Sequence, residues 1–465
     1  MRHTLTVILS TIGLIGGSIY LGQWVFQDPE TGLTILVGLV PAVLCMWVII
    51  RGNTDRTYLL RLFVVALALR WVVAFLIYSK HQQAFFGGDA ETFDIVGNAL
   101  SQAWHGIGSA DTPYMKGYLG LSRSGWGMFY YVGAVYYAVG QNQLAVQLIN
   151  CALGAAACVA VYRIALLIYP EQRPARLAAL LTAFAPSMIL WSSQMLKDAP
   201  IVLSLCLCAL YTLKLRNQFQ IKSLFLLILS LFCLLSLRHY AFYIMFVAVA
   251  SALVLTPKRL TPLRIAQGAV LVIVLGITLA YFGASSVPQD TFDLKHIQAS
   301  RVWSAKVANS GFGGDVDITD PKAAISYLPL GLLYVLFAPF PWMITNLRQL
   351  ITLPELIAWW ALMPMLIRGY WYGLRHRLKE TFAIGIFTIS LTLVYALYQS
   401  NVGTAYRHRA QLYIFFFIFI SIGLELRRAA KKRKQGFAMQ PAFYRFSGNG
   451  GPPPLPSHSL SSRVP

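Results

Sequence analysis

Apolar runs close to 20 residues recur along the chain, separated by short polar stretches that carry most of the charge. That length matches a hydrocarbon core about 30 Å thick. Inside lipid each backbone N–H and C=O must be satisfied within its own segment, so the runs are predicted to be helices. A β-barrel would alternate apolar and polar positions, whereas these runs are continuous. The predicted spans are 4–26, 31–50, 57–78, 144–168, 175–193, 199–214, 222–237, 239–256, 263–283, 353–372, 380–398 and 409–426. The fold class is therefore an all-α polytopic membrane protein with about twelve transmembrane helices. Thr4–Phe26 is too long for the apolar part of a signal peptide and lacks a small-residue cleavage site, so it reads as a retained helix.

Charge bias orients the spans. Arg51 and Arg56 flank one short loop, and Arg163, Arg173 and Arg176 flank another. Lys214, Arg216 and Lys222 mark a third, Lys258, Arg259 and Arg264 a fourth, and Arg368, Arg375, Arg377 and Lys379 a fifth. With the basic run Arg427–Lys434, all of these belong on the cytoplasmic side. Two further apolar segments would break this parity if they crossed the membrane. They are Gly125–Gly140 and Ala323–Asn346, the latter interrupted by Pro329, Pro339 and Pro341. Both are expected to lie along or dip into the outer leaflet, where their Tyr and Trp content suits the interface.

Three regions follow. Residues 1–56 carry two extra N-terminal helices. Residues 57–426 form the core, with external loops over 80–143 and 284–353. Residues 427–465 are a basic and then disordered cytoplasmic tail, rich in Gly, Pro and Ser after Gln435. There is no convincing internal repeat.

The composition agrees with a lipid solvent: 57% hydrophobic and only 12% charged residues, against about 25% charged in soluble domains. The net charge of +21 follows mainly from the positive-inside bias, and the basic tail can also meet anionic headgroups. The basic residues are scattered among loops, which excludes nucleic acid as a partner. The six cysteines all sit in apolar stretches without a CxxC pair or a neighbouring His, so neither a zinc site nor a disulfide framework is indicated.

The rare acidic residues are where chemistry is sought. The chain has 17, and Asp89, Glu91 and Asp94 fall together at the start of the first external loop, after Gly87-Gly88. Asp89 is placed at a helix N-cap, where a plain capping role is the bland alternative. A carboxylate held at a membrane surface can also act as general base toward a hydroxyl. Asp198 follows Lys197 at the external mouth between two spans, a position where ionisable groups are costly and mark a functional site by default. Their bland reading is a pair capping the next span. Arg238-His239 and Arg407-His408-Arg409 are basic residues on the external side, against the bias. Guanidinium groups there suit a phosphate or pyrophosphate leaving group, with headgroup snorkelling as the alternative. In the second loop, Arg301, Trp303, Lys306 and Asn309 precede GFGGD (311–315), a glycine-rich stretch that is expected to be mobile and able to close over substrate.

Over roughly 57–426 this pattern resembles the GT-C membrane glycosyltransferases, such as protein O-mannosyltransferases and lipid A aminoarabinose transferases. The resemblance rests on Gly88-Asp89-Ala90-Glu91, and on Phe129-Tyr130-Tyr131 leading into Gln147-Leu148-Ile149-Asn150. It continues with Pro186 through Ser192-Ser193 to Lys197-Asp198, and with the late Asn401…Arg407…Arg409 stretch. It implies a sugar donor linked to a polyprenyl phosphate, and a glycan, lipid or protein acceptor glycosylated on the outer (periplasmic) face of the inner or plasma membrane. It implies Asp89 as catalytic base, with Glu91 and Asp198 as further acidic site residues. Lys197, Arg238, His239, Arg407 and Arg409 would bind the lipid phosphate. The expected reaction is a single, inverting displacement. Some relatives use a divalent metal; Ala90 stands where a second carboxylate often follows directly, so metal use is left open. An O-antigen-type polymerase or ligase would lean on arginines without an Asp base. A transporter would place charges near the bilayer midplane.

Overall fold

The computed structural model describes residues 29–52, 55–83, 88–121, 123–254, 293–308, 310–344 and 347–438. The predicted spans 4–26 and 263–283, and the tail beyond Ala438, lie outside the described residues. Among those described there is no strand, only an isolated bridge between Gly311 and Asn401. The helices are α1 (Pro29–Arg51), α2 (Arg56–Ser79), α3 (Asp89–Trp104), α4 (Pro113–Leu119), α5 (Trp126–Val139), α6 (Gln143–Ile168), α7 (Gln172–Phe184) and α8 (Pro186–Ser192). They continue with α9 (Asp198–Asn217), α10 (Ile221–Leu237), α11 (His239–Val254), α12 (Leu294–Val307), α13 (Pro321–Phe337), α14 (Leu347–His376), α15 (Leu378–Tyr398) and α16 (Val402–Ala438).

Six of these helices, α1, α2, α6, α9, α15 and α16, are long and apolar enough to cross a membrane among the described residues, and the bent pair α7–α8 makes a seventh if counted as one span. Helices α10, α11 and α13 are apolar but shorter. The expected continuous span 175–193 is not continuous. It bends by 57° between α7 and α8. Pro186 brings no N–H and disfavours the helical conformation at the residue before it, so Ala185 is extended. Buried Arg70 of α2 sits at this break. Its guanidinium donates to the carbonyls of Ala183 (3.2 Å) and Thr182 (3.4 Å) at the end of α7, and to Ser192 Oγ (2.9 Å) in α8.

Close packing of α14 on α16 depends on small residues. A Cβ on Gly369 would lie 1.9 Å from the Phe419 carbonyl oxygen, and one on Gly423 would lie 2.0 Å from that of Met365. Glycines let helix backbones approach in this way inside membranes.

The first two basic loops meet at one end of the bundle. Asp55 pairs with Arg176 at 2.6 Å, and Arg173 reaches Glu425 at 3.5 Å. At about 1.5 Å per residue, Asp198 and Asn217 stand roughly 29 Å apart along α9, and Arg407 and Glu425 roughly 27 Å apart along α16. Asp198 and Arg407 are thus at the other end. The described helices of the two parity-breaking segments, α5 and α13, contact that end. Helix α5 runs from Gly127, tight against Ser236 at the end of α10, to Tyr136, whose hydroxyl meets Met195. In α13, Tyr327 packs with Leu397 and Tyr398 at the end of α15, while its last carbonyls meet Arg409 near the start of α16.

Candidate functional site

Three charged residues far apart in sequence meet at that end. Arg407, in the first turns of α16, donates from Nε to Asp198 Oδ2 at 2.7 Å and from Nη1 to Asp89 Oδ2 at 3.1 Å. Its Nη2 also lies 2.6 Å from Asp198 Oδ2. Asp198 begins α9 and its side chain is 3% exposed; Asp89 begins α3 and is 55% exposed. The two carboxylates therefore differ in what they can do. Asp198 is sealed against Arg407, whereas Asp89 is more than half exposed beside it.

Asp89 is not an N-cap. Gly88 takes that place, with no side-chain capping bond, and Asp89 is the first helical residue. The carboxylate is committed to Arg407 rather than to the helix end. Glu91 is exposed on the same turn and enters none of the ion pairs among the described residues. Asp94 does not simply face water: it accepts from the Tyr136 hydroxyl (2.5 Å) and from Gln141 Nε2 (3.2 Å), which ties α3 to α5.

More cations surround the triad. Lys197 is half-buried beside Asp198, with Nζ against Gly125, whose φ of +96° sets the turn into α5. Burial first, and then the Arg238 charge, push the Lys197 ammonium down to about 8. Arg238, between α10 and α11, is buried. Its guanidinium faces the Tyr240 ring at 5.6 Å, and its Nη1 has no hydrogen-bond partner among the described residues. His239 is buried at the start of α11, its backbone N–H donating to Ser124 Oγ. The Trp191 ring of α8 lies 5.7 Å from the Arg407 guanidinium. Three cations (Lys197, Arg238, Arg407) against two carboxylates (Asp89, Asp198) leave one positive charge in excess, as an anion site requires.

Arg409 is not part of this cluster. Two residues on, it points about 200° away round the helix. It donates to the carbonyls of Val335 (2.6 Å) and Ala338, closing the end of α13. The glycine-rich loop at 311–315 is not a loose flap either. Buried Arg301 donates to the carbonyls of Gly313 (2.6 Å) and Val316 (3.2 Å). Phe312 and Val402 exchange backbone bonds with Ser400 and Ser310, which fastens the loop to the approach to α16. As for a metal, a guanidinium fills the place between the two carboxylates, and no group of three His, Cys, Asp or Glu side chains able to hold one occurs among the described residues.

The turn carrying Lys197 and Asp198 is held by amides of α6 and of Gln83. Asn150 Nδ2 donates to both Gln194 O (2.8 Å) and Leu196 O (2.9 Å), while the Tyr131 hydroxyl donates to Asn150 Oδ1. Gln147 donates to Gln83 Oε1 at 2.6 Å. Sequence reading missed one buried carboxylate, Glu355, in α14. The available signal was an acidic residue inside an apolar run, LPELIAWW.

Residues 127–282 match the family model of the dolichyl-phosphate-mannose-protein mannosyltransferases, a GT-C family. Over about a third of its length the chain is therefore similar to a GT-C membrane glycosyltransferase family. The matched stretch holds Lys197, Asp198, Arg238 and His239; Asp89 and Arg407 lie outside it. Searches of curated proteins and of solved structures gave no match.

Proposed function

We propose that this glycosyltransferase moves a sugar from a polyprenyl-phosphate donor to an acceptor hydroxyl on the outer face of the membrane, at the Asp89–Asp198–Arg407 triad. The observation that carries the reading is the convergence of these residues on Arg407 from three helices, with Lys197 and Arg238 beside them. Asp89, the exposed carboxylate, takes the proton of the acceptor hydroxyl as its oxygen attacks the anomeric carbon. The bond from that carbon to the phosphate oxygen breaks, with inversion, and polyprenyl phosphate leaves. Arg407, Lys197 and Arg238 hold the phosphate as its charge grows. Buried Asp198 fixes the Arg407 fork, so the guanidinium needs no reorganisation during the reaction.

The test is transfer by the reconstituted protein from a panel of polyprenyl-phosphate sugars. Arg407→Lys should lose most turnover, because an ammonium cannot bridge two carboxylates and a phosphate in the fork geometry. Cysteines at 89 and 407 in a cysteine-free background should react with a membrane-impermeant thiol reagent applied outside. Reaction only from the cytoplasmic side would overturn the assigned face.

A further inference from the structure

Glu355 is a carboxylate within the apolar α14, 8% exposed. Such a group is costly in a membrane protein and is retained where it has a task. It has no basic partner within ion-pair distance among the described residues. Three donors satisfy it instead. Ser187 gives its backbone N–H to Oε2 (2.8 Å) and its hydroxyl to Oε1 (2.6 Å), and the Tyr406 hydroxyl reaches Oε2 at 2.6 Å.

These donors belong to two separate parts of the triad's support. Ser187 opens α8, a short helix cut off from α7 by the bend at Pro186 and lacking a side-chain cap of its own. Helix α8 carries Trp191, which faces Arg407, and leads into the turn before Asp198. Tyr406 immediately precedes Arg407 in α16. One carboxylate therefore sets the seat of α8 and the rotation of α16 about its axis, from a third helix that contributes nothing to the triad itself.

We propose that Glu355 is a positioning residue for the transfer reaction: by binding Ser187 and Tyr406 together it holds Arg407 in register with Trp191 and Asp198. This rests on the reading of Arg407 as the phosphate-binding group. A misplacement near 1 Å can cost about 10²-fold in rate, and loss of either partner of Glu355 permits a slip of that size.

The experiment uses the full-length protein in lipid nanodiscs, with Glu355→Gln, Tyr406→Phe and the double variant. Tyr406→Phe keeps the ring and removes one hydrogen bond, so it is the variant least prone to misfold. Turnover per folded molecule is expected to fall about 10- to 100-fold in each single variant, with the donor KM within a few-fold of wild type. The double variant should lose no more than the worse single one, because both changes break the same link. A substrate-free readout runs in parallel: the rate at which phenylglyoxal modifies Arg407, followed by peptide mass spectrometry. It should rise several-fold in both single variants as the Arg407 ion pairs loosen. Unchanged Arg407 reactivity in both single variants, or wild-type turnover per folded molecule with only a lower unfolding temperature, would leave Glu355 a plain stabiliser and overturn the proposal. A wild-type protein inactive on every polyprenyl-phosphate sugar would instead count against the proposed reaction, and the phenylglyoxal rates would still decide the role of Glu355.

Discussion

Replacing Asp89 by Asn separates chemistry from stability more cleanly than any other change at the site. The side chain is 55% exposed and its bond to Arg407 is 3.1 Å long. The Arg407 side chain is only 12% exposed, but Asp198 stays paired with it, so losing the half-exposed Asp89 partner is expected to cost about 1 kcal/mol. The helix-end charge adds about 0.3–1 kcal/mol for a carboxylate in the first turn of α3. No cap is lost, since the carboxylate makes none, and Asn keeps an oxygen for Arg407. Folding is thus expected to lose less than about 2 kcal/mol. Loss of a general base removes about 10²–10⁴ in rate, which is roughly 3–5 kcal/mol of barrier. The assay is initial transfer rate from a polyprenyl-phosphate sugar at matched membrane levels, with donor binding measured separately. Asp89→Asn should bind donor and transfer almost nothing. Asp198→Asn is a poor substitute, because disrupting a buried pair costs up to about 3–5 kcal/mol and would mix folding with catalysis. Asp94→Asn is equally unsuited as a control, since it would loosen the Tyr136 and Gln141 bonds. Glu91→Gln, exposed and outside the ion pairs, is the proper comparison and should stay within a few-fold of wild type. If Asp89→Asn transfers sugar at an ordinary rate, the base assignment fails and an arginine-centred mechanism replaces it.

Two further outcomes follow from the same geometry. Lys197 is held down to about 8, so its charge is present at neutral pH and disappears as pH rises through that value. Donor kcat/KM should therefore fall above about pH 8, and Lys197→Arg should remove that limb; an unchanged alkaline limb in this variant would show that Lys197 does not set it. Gly369→Ala and Gly423→Ala each drive a Cβ into a backbone carbonyl of the facing helix. Overpacking of this kind costs about 1–3 kcal/mol, visible as a lower unfolding temperature in detergent; equal midpoints would mean that α14 and α16 can part without penalty.

Much of the site was legible because charge is scarce in this chain and expensive in lipid. Asp89, Asp198 and Arg407 stood out as charges at apolar helix ends, and the structure brings the three together. What sequence could not resolve was rotation. Arg407 and Arg409 look equivalent two positions apart, yet α16 turns one toward the carboxylates and the other onto the carbonyls that end α13. A shift of one residue likewise moved the cap from Asp89 to Gly88. The break at Pro186 was visible as a proline inside an apolar run, but a continuous span was expected because hydropathy registers length and not direction. Glu355 was missed because its partners lie 168 and 51 residues away, and nothing local marks them. The glycines of GFGGD suggested mobility; it is the buried Arg301 behind them that fixes the loop.

The ion pair between Asp89 and Arg407 joins positions 318 residues apart. Chains are synthesised at roughly 5–20 residues per second, so about 15–60 s separate the insertion of these two residues. During that interval every nascent chain displays an Asp89 carboxylate without its guanidinium. On the proposed mechanism, transfer can begin only when α16 enters the bilayer, and a chain that stalls or is clipped before Val402 leaves in the membrane every earlier helix, Asp89 and Asp198 included, without the guanidinium that joins them.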